Sequence, residues 1–443
     1  MTLTRRLRDP HDKEIWRLAV PAFFALVAEP MFLLTDSAVV GHLGTPQLAG
    51  LGLAGTVLQT GVSLCIFLAY ATTAAVARQL GAGDTKKAIQ YGIDGIWLAL
   101  GVGIALAAAG AIFAEPLVQL FNPSDAVAEQ ATIYLRIAAL GTPAMLAVFA
   151  GTGVLRGLQD TKTPLVVAVG SYLANIVLNL ALVYGLHWGI AGSAWGTVIA
   201  QYAGAAALIV VVLRGAKKHG AHVRPDWAGI KSAAGAGVPL IVRTAALRVG
   251  ILLATVVATS FGDAPLAAHQ VVFTIWNALA LALDAVAIAG QAIVGRYLGA
   301  GDVEGTRAAT RRMIEWGIAA GVLTGILLAV ARPLYVPLFT EDPNVRTLIS
   351  AAILVVAALQ PVAGVVFVLD GVLIGAGDGR YLAWTGVLNV IAFIPFAALV
   401  WATDAGLVAL WWAYAVYQLA RLTTLSLRAR SSTWLVTGAL SRP

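Results

Sequence analysis

The sequence predicts an all-α integral membrane protein, with twelve transmembrane helices in two six-helix lobes related by a parallel repeat. Three observations carry this expectation. The 443 residues are 59% apolar and only 12% charged, with a mean hydropathy of +0.84. The basic residues fall almost wholly on one side of the apolar segments. The second half of the chain repeats the first at one constant spacing.

Soluble globular chains are roughly 45–50% apolar and about 25% charged. Too few polar side chains remain here to cover a water-facing surface, which excludes a soluble enzyme. The same numbers exclude a disordered chain, which needs low hydrophobicity and high net charge. A spanning helix takes about 20 residues, so the chain has room for a dozen helices with short connections and none for an extramembrane domain. Its one cysteine, Cys65, lies in an apolar run, and no intrachain disulfide is possible. After Arg5, Arg6 and Arg8 comes an apolar stretch of about 25 residues, longer than the 7–15-residue core of a signal peptide. It reads as an uncleaved first helix.

Apolar runs separated by clusters of Gly, Pro, Asp and Lys place the helices near 15–40, 50–78, 90–114, 127–153, 162–185, 190–214, 231–259, 266–295, 308–331, 346–370, 382–402 and 405–428. Basic residues concentrate on the cytoplasmic side of membrane proteins. With the N-terminus inside, 24 of the 29 Lys and Arg residues fall on the inner side, from Arg5, Arg6 and Arg8 to Arg421 and Arg442. Only Arg332 and Arg346 fall outside, and Arg136, Arg243 and Arg248 lie within helices. The net charge of +7 is therefore topological, and no nucleic-acid partner is needed to explain it. A multi-pass protein of the cytoplasmic membrane follows, with both termini in the cytoplasm and the lipid bilayer as its solvent.

Shifting the sequence by 218 residues aligns its halves. Leu80-Gly81-Ala82-Gly83-Asp84 falls on Leu298-Gly299-Ala300-Gly301-Asp302, and Gly153-Val154-Leu155 and Gly157 fall on Gly371-Val372-Leu373 and Gly375. Pro21 matches Pro239, Pro143 matches Pro361, and Asp160 matches Asp378. Six helices per half give both halves the same orientation, related by an axis along the membrane normal. The expected domains are 1–214 and 232–443, joined by a charged cytoplasmic linker at 215–231.

Gly50-Leu51-Gly52-Leu53-Ala54-Gly55 fits G-x-G-x-x-G, but that pattern holds a dinucleotide only between a strand and a helix. Here it opens a membrane helix and reads as close helix packing through small residues. The two L-G-A-G-D loops read as turns, with Asp capping the next helix. No phosphate loop of the G-K-[ST] type occurs, so the chain is not itself an ATP-driven pump.

Ionisable groups inside a bilayer cost at least ~2.5–3.5 kcal/mol each at a helix centre and mark function by default. Glu29 and Asp36 share a face of the first helix, seven residues apart. Desolvation penalises a charged carboxylate, which is the property that proton exchange exploits. In the fifth segment Ser171, Asn175 and Asn179 form a stripe at a spacing of four. Two amides one turn apart can coordinate a cation, bond a carboxyl group, or join helices. The second half does not copy this content. Asp36 falls on Ala254 and Asn179 on Ala397, while Arg243, Arg248, Asp284 and Asp370 are new. Arg243 and Asp284 are expected to pair, because a lone buried Arg is costly.

The stretch Asp36-Ser37-Ala38-Val39-Val40-Gly41-His42-Leu43-Gly44 resembles the first-helix signature of the multidrug and toxic compound extrusion (MATE) family, and more narrowly its DinF-like branch. The stretches Gly153–Pro164 (GVLRGLQDTKTP), Gly189–Gln201 (GIAGSAWGTVIAQ), Ala280–Asp302 and Phe367–Asp378 (FVLDGVLIGAGD) extend the resemblance over essentially the whole chain. It implies a V-shaped pair of six-helix lobes around a central cavity. It also implies export of amphipathic, often cationic, organic compounds by alternating access, driven by inward protons or sodium ions. The family's ion-coupling positions correspond to Asp36, Asn175, Asn179 and Thr197, and its helix-1 hinge to Pro21. Glu29, Arg243, Asp284 and Asp370 stand as secondary candidates. Some relatives carry a second Asp where this chain has Asn179, which favours a proton over a sodium ion as the coupling ion. Sodium at Asp36, Asn175 and Asn179 is the one metal entertained, no other cofactor is expected, and the chain is read as a monomer handling small organic substrates.

Three other readings were weighed. A major facilitator shares the helix count, but its charged G-x-x-x-D-R-x-G-R-like loop is replaced by LGAGDTKKA. A lipid-linked oligosaccharide flippase of the same superfamily commonly has a more cationic cavity and fourteen helices. An integral-membrane enzyme needs a metal or catalytic cluster, and His11, His42, His187, His219, His222 and His269 form no ligand-spaced set.

Overall fold

The computed structural model describes residues 9–439, so Arg5, Arg6, Arg8 and Arg442 of the charge count lie outside the described residues. Every segment expected from the apolar runs is helical, and no strand occurs among the described residues. The helices are α1 Pro10–Gly41, α2 Thr45–Leu64, α3 Phe67–Gly81, α4 Thr85–Ile112, α5 Ala114–Gln119, α6 Asp125–Ala139, α7 Thr142–Gly157 and α8 Lys162–Asn179. A π-helical turn, Leu180–Gly185, continues α8. There follow α9 Gly189–His219, α10 Trp227–Thr259, α11 Asp263–Gly299, α12 Val303–Tyr335, α13 Pro343–Gly375, α14 Gly379–Ala402 and α15 Gly406–Arg430.

Among the described residues ten helices, with α2 and α3 taken as one, are long and apolar enough to cross a membrane. The pair α6 and α7, bent by 48° at Leu140–Gly141, reaches that length and apolarity only when taken together, which makes eleven spans if the pair is counted as one. The last of the twelve expected segments, α15, has the length, at 25 residues, but Gln418, Arg421, Arg428 and Arg430 dilute its apolar character.

The inter-helix turns follow from their residues. Gly83 (φ +83°) and Gly301 (φ +77°) take the left-handed conformation that favours glycine. Asp84 then accepts from the Lys87 amide at 2.9 Å and Asp302 from the Gly305 amide at 2.7 Å, capping α4 and α12. The glycine-rich stretch at 50–55 lies inside α2. Gly50 abuts the backbone of Ala131 and Gln130, whereas Gly52 and Gly55 face open space. It is a single close approach between helices, with no nucleotide cradle.

The repeat is visible as one helix contact made twice. Gly153 and Gly157 of α7 lie against the backbone carbonyls of Ala69 and Thr73 on α3. Gly371 and Gly375 of α13 lie against those of Ala287 and Gln291 on α11. All four pairs of positions differ by 218. Small residues allow backbones to approach closely where lipid supplies no hydrophobic drive between helices.

The chain forms two compact units, Val20–Gly237 and Val238–Pro443, the latter including the start of α1 through Ala19. The sequence places the division in the linker at 215–231. The structure places it later, because α10 begins at Trp227 and its first turns pack on the first half. There Gly229 abuts the Asp94 side chain and Gly237 the ring of Phe67. The start of α1 belongs with the second half for an electrostatic reason. Asp12 accepts from the Arg312 guanidinium at 2.6 and 2.9 Å and from the Trp316 indole at 2.8 Å. Glu14 accepts from Arg296 and from the Tyr297 hydroxyl. The two crossing points, Ala19–Val20 and Gly237–Val238, are themselves 218 residues apart, and Pro21 and Pro239 stand at the second position beyond each.

Candidate functional site

The site lies within the unit Val20–Gly237 and is built on four helices. Asp36, in the last two turns of α1, is 4% exposed. Its Oδ1 accepts from the Asn179 amide at 2.6 Å and from the Ser193 hydroxyl at 2.7 Å. Its Oδ2 accepts from the Tyr134 hydroxyl at 3.3 Å. The Asn179 amide nitrogen also donates to Asn175 Oδ1 at 3.1 Å, and Asn175 donates to the Thr197 hydroxyl at 3.0 Å. Asp36, Asn175, Asn179 and Thr197 thus form one connected network. Each member is buried.

Local structure fixes these side chains. Asn175 and Asn179 share a face of α8 because they are one turn apart. Asn179 is the last residue of α8 before the π-helical turn, a local widening that often accompanies functional sites. That turn is tied to α1 by the Tyr184 hydroxyl, which donates to the Val39 carbonyl at 2.6 Å. Gly196 of α9 leaves room for the Asn179 amide: a Cβ there would overlap its Oδ1. That oxygen is buried with no hydrogen-bond partner.

Ser193, Tyr134 and Gly196 were not singled out from the sequence. Ser193 had a usable signal, lying four residues before Thr197 and therefore on the same face of α9. Tyr134 had none, since α6 carries no other member of the network.

Every donor to Asp36 is neutral: an amide and two hydroxyls. Hydrogen bonds support the ionised form, and no ion pair with Asp36 exists among the described residues. Gain or loss of one proton there changes the net charge of a buried region, and three donors must respond. Tyr134→Phe and Ser193→Ala each remove one donor to a carboxylate, a bond worth about 1.5–3 kcal/mol. Each substitution should shift the pH profile of transport toward higher pH while leaving the protein folded. An unshifted profile in both variants would show that these donors do not tune Asp36.

The other candidates stand apart from this network. Glu29 is half-buried and makes no hydrogen bond or ion pair among the described residues. Nearby, Phe32 stacks on Tyr172 at 5.1 Å. In the unit Val238–Pro443 the Arg243 guanidinium meets the carboxylate of Asp370 of α13, a pairing the sequence reading did not name. Arg421 Nη2 lies 4.0 Å from the same carboxylate and bonds Gln418 at 3.3 Å. Counting by segment puts Arg421 among the inner-side bases, but it is buried within its unit.

The MatE family pattern matches the chain twice, over residues 21–181 and 239–399. The second match begins 218 residues after the first, the spacing of the internal repeat. Protein DETOXIFICATION 44, chloroplastic, from Arabidopsis thaliana is 33% identical over 92% of this chain and 80% of its own length. DNA damage-inducible protein F from Escherichia coli is 30% identical over 96% of this chain and 94% of its own length. Among solved structures, the Vibrio cholerae MATE transporter VcmN in its bent form shares the fold, with a TM-score of 0.87 at 20% identity, covering 95% of this chain and 96% of that one. The chain belongs to the MatE family of multi-pass membrane transporters, whose members are not enzymes.

Proposed function

We propose that this chain is a proton-coupled antiporter that exports amphipathic organic compounds, cationic ones among them, from the cytoplasm by alternating access. The observation that carries the reading is Asp36, a buried carboxyl group held by three neutral donors and no cation. In the proposed cycle the ionised form accompanies substrate loading. Protonation from outside then discharges the site, relaxes its hold on Asn179, Ser193 and Tyr134, and lets α1 move at Pro21, where proline interrupts the helical hydrogen-bond ladder. Substrate leaves outward, and the proton is released inward on return. The two compact units, Val20–Gly237 and Val238–Pro443 with the start of α1, are the proposed moving parts, and one chain is the working unit. The protein sits in the cytoplasmic membrane with both termini inside, as the charge asymmetry favours. The Arabidopsis relative's name, detoxification, supports export of harmful compounds.

A proton is preferred to sodium because Asn179 turns its amide N–H groups, not its oxygen, toward both Asp36 and Asn175. A bare cation needs oxygen ligands, and the second carboxylate that some relatives supply is here an amide. Purified protein in liposomes, given pH and sodium gradients separately, decides the matter. Dye and antibiotic export should follow the pH gradient at fixed sodium. Export that follows sodium at fixed pH overturns proton coupling, and export that follows neither overturns antiport.

A further inference from the structure

Beyond the transport site, the end of the second unit opposite its Gly301 turn carries a groove of about 480 Å³ between α12 and α13. Its polar lining is Arg332, Arg346, Thr347 and Ser350, and its apolar lining includes Ala351 and Leu354. These two arginines are the only ones of the 29 basic residues that fall outside in the charge count. Folding brings both to one groove.

Arg332 ends α12, where a cation complements the helix dipole. Arg346 lies in the first turn of α13, where a cation opposes it. Neither arginine forms an ion pair among the described residues. Arg346 Nε donates to the Thr340 carbonyl at 2.6 Å, which aims the guanidinium without neutralising it. The adjacent carboxylate of Asp342 is occupied as the cap of α13, accepting from the Asn344 amide at 2.8 Å. Toward the membrane interior from these arginines the surface is apolar: Val330 is 73%, Ile326 56% and Leu354 43% exposed.

We propose that the groove binds the phosphodiester headgroup of an anionic phospholipid, with the acyl chains lying along Val330, Ile326 and Leu354. Two guanidinium groups match a phosphate geometrically and electrostatically, and basic recesses between membrane helices hold anionic headgroups in this way. On the orientation proposed above, the lipid belongs to the outer leaflet.

The test is thermal unfolding of the purified full-length chain, titrated separately with phosphatidylglycerol, phosphatidylcholine and inorganic phosphate. Phosphatidylglycerol should raise the melting temperature saturably; the other two should not. The variant Arg332→Gln/Arg346→Gln should keep its melting temperature in phosphatidylcholine and bind phosphatidylglycerol at least about tenfold more weakly. Arg332→Gln alone breaks no hydrogen bond among the described residues, and native mass spectrometry should show it retaining fewer phosphatidylglycerol molecules than the parent. Equal phosphatidylglycerol effects on parent and variants would overturn the site. An equal shift with inorganic phosphate would assign the groove to a free anion and overturn the lipid.

Discussion

Asp36→Asn protein in liposomes is expected to insert and melt like the parent and to export substrate no faster than empty liposomes. The amide is isosteric with the carboxyl group, and its oxygen still accepts from Ser193 and Asn179. The hydroxyl of Tyr134 can rotate to accept from the new amide nitrogen, because a hydroxyl both donates and accepts. What the substitution removes is the proton that the proposed cycle exchanges. The packing around Asp36 is therefore preserved while its charge becomes fixed at zero, and a cycle that needs two charge states has only one. Substrate binding should persist, so a fluorescent dye should still be retained by the variant in detergent. Undiminished pH-driven export by the inserted variant would remove Asp36 from the mechanism.

The second large effect is on folding. Gly371→Val places a branched side chain where even a Cβ would fall on the backbone oxygen and Cα of Ala287. Neither atom can rotate away, so α13 must separate from α11 over several turns. Overpacking of this kind costs about 3 kcal/mol or more. The variant should melt several degrees lower and yield less monodisperse protein in detergent than the parent. Gly153→Val should do the same in the other unit, against the backbone of Ala69. Gly52→Ala is the control: it faces open space, and the helix propensity of alanine makes it neutral or slightly stabilising. Equal melting of Gly371→Val and Gly52→Ala would mean that the glycine contact is not what joins these helices.

How much of this was legible in the sequence depends on whether the signal is local. Helices were legible because long apolar runs bounded by Gly, Pro and charged residues leave few alternatives in lipid. Asn175 and Asn179 were legible as a stripe, and Asp36 as a costly acid in an apolar helix. The repeat was legible because each matched position had a counterpart at the same offset. Contacts between distant segments were not. Arg243 and Asp370 are 127 residues apart, and no local pattern announces that α13 turns its acid toward that arginine. Tyr134 donates across 98 residues of sequence, from the buried face of a helix whose polar stripe, Asp125, Glu129 and Arg136, lies on the other side. Asp12 and Arg312 are separated by 300 residues, and each alone reads as an ordinary charge at a helix end. The boundary between units moved for the same reason.

The paired crossing points have a consequence for how such a chain can be taken apart and how it arose. Each half gives the beginning of its first helix to the other, at equivalent places in the repeat. That is reciprocal exchange, the arrangement by which two copies of a half-length ancestor would interlock as a dimer before their genes fused. A half expressed alone would be missing the helix start that its partner provides and would leave its own unpaired. Chains cut between His219 and Asp226 should therefore be recovered together or not at all.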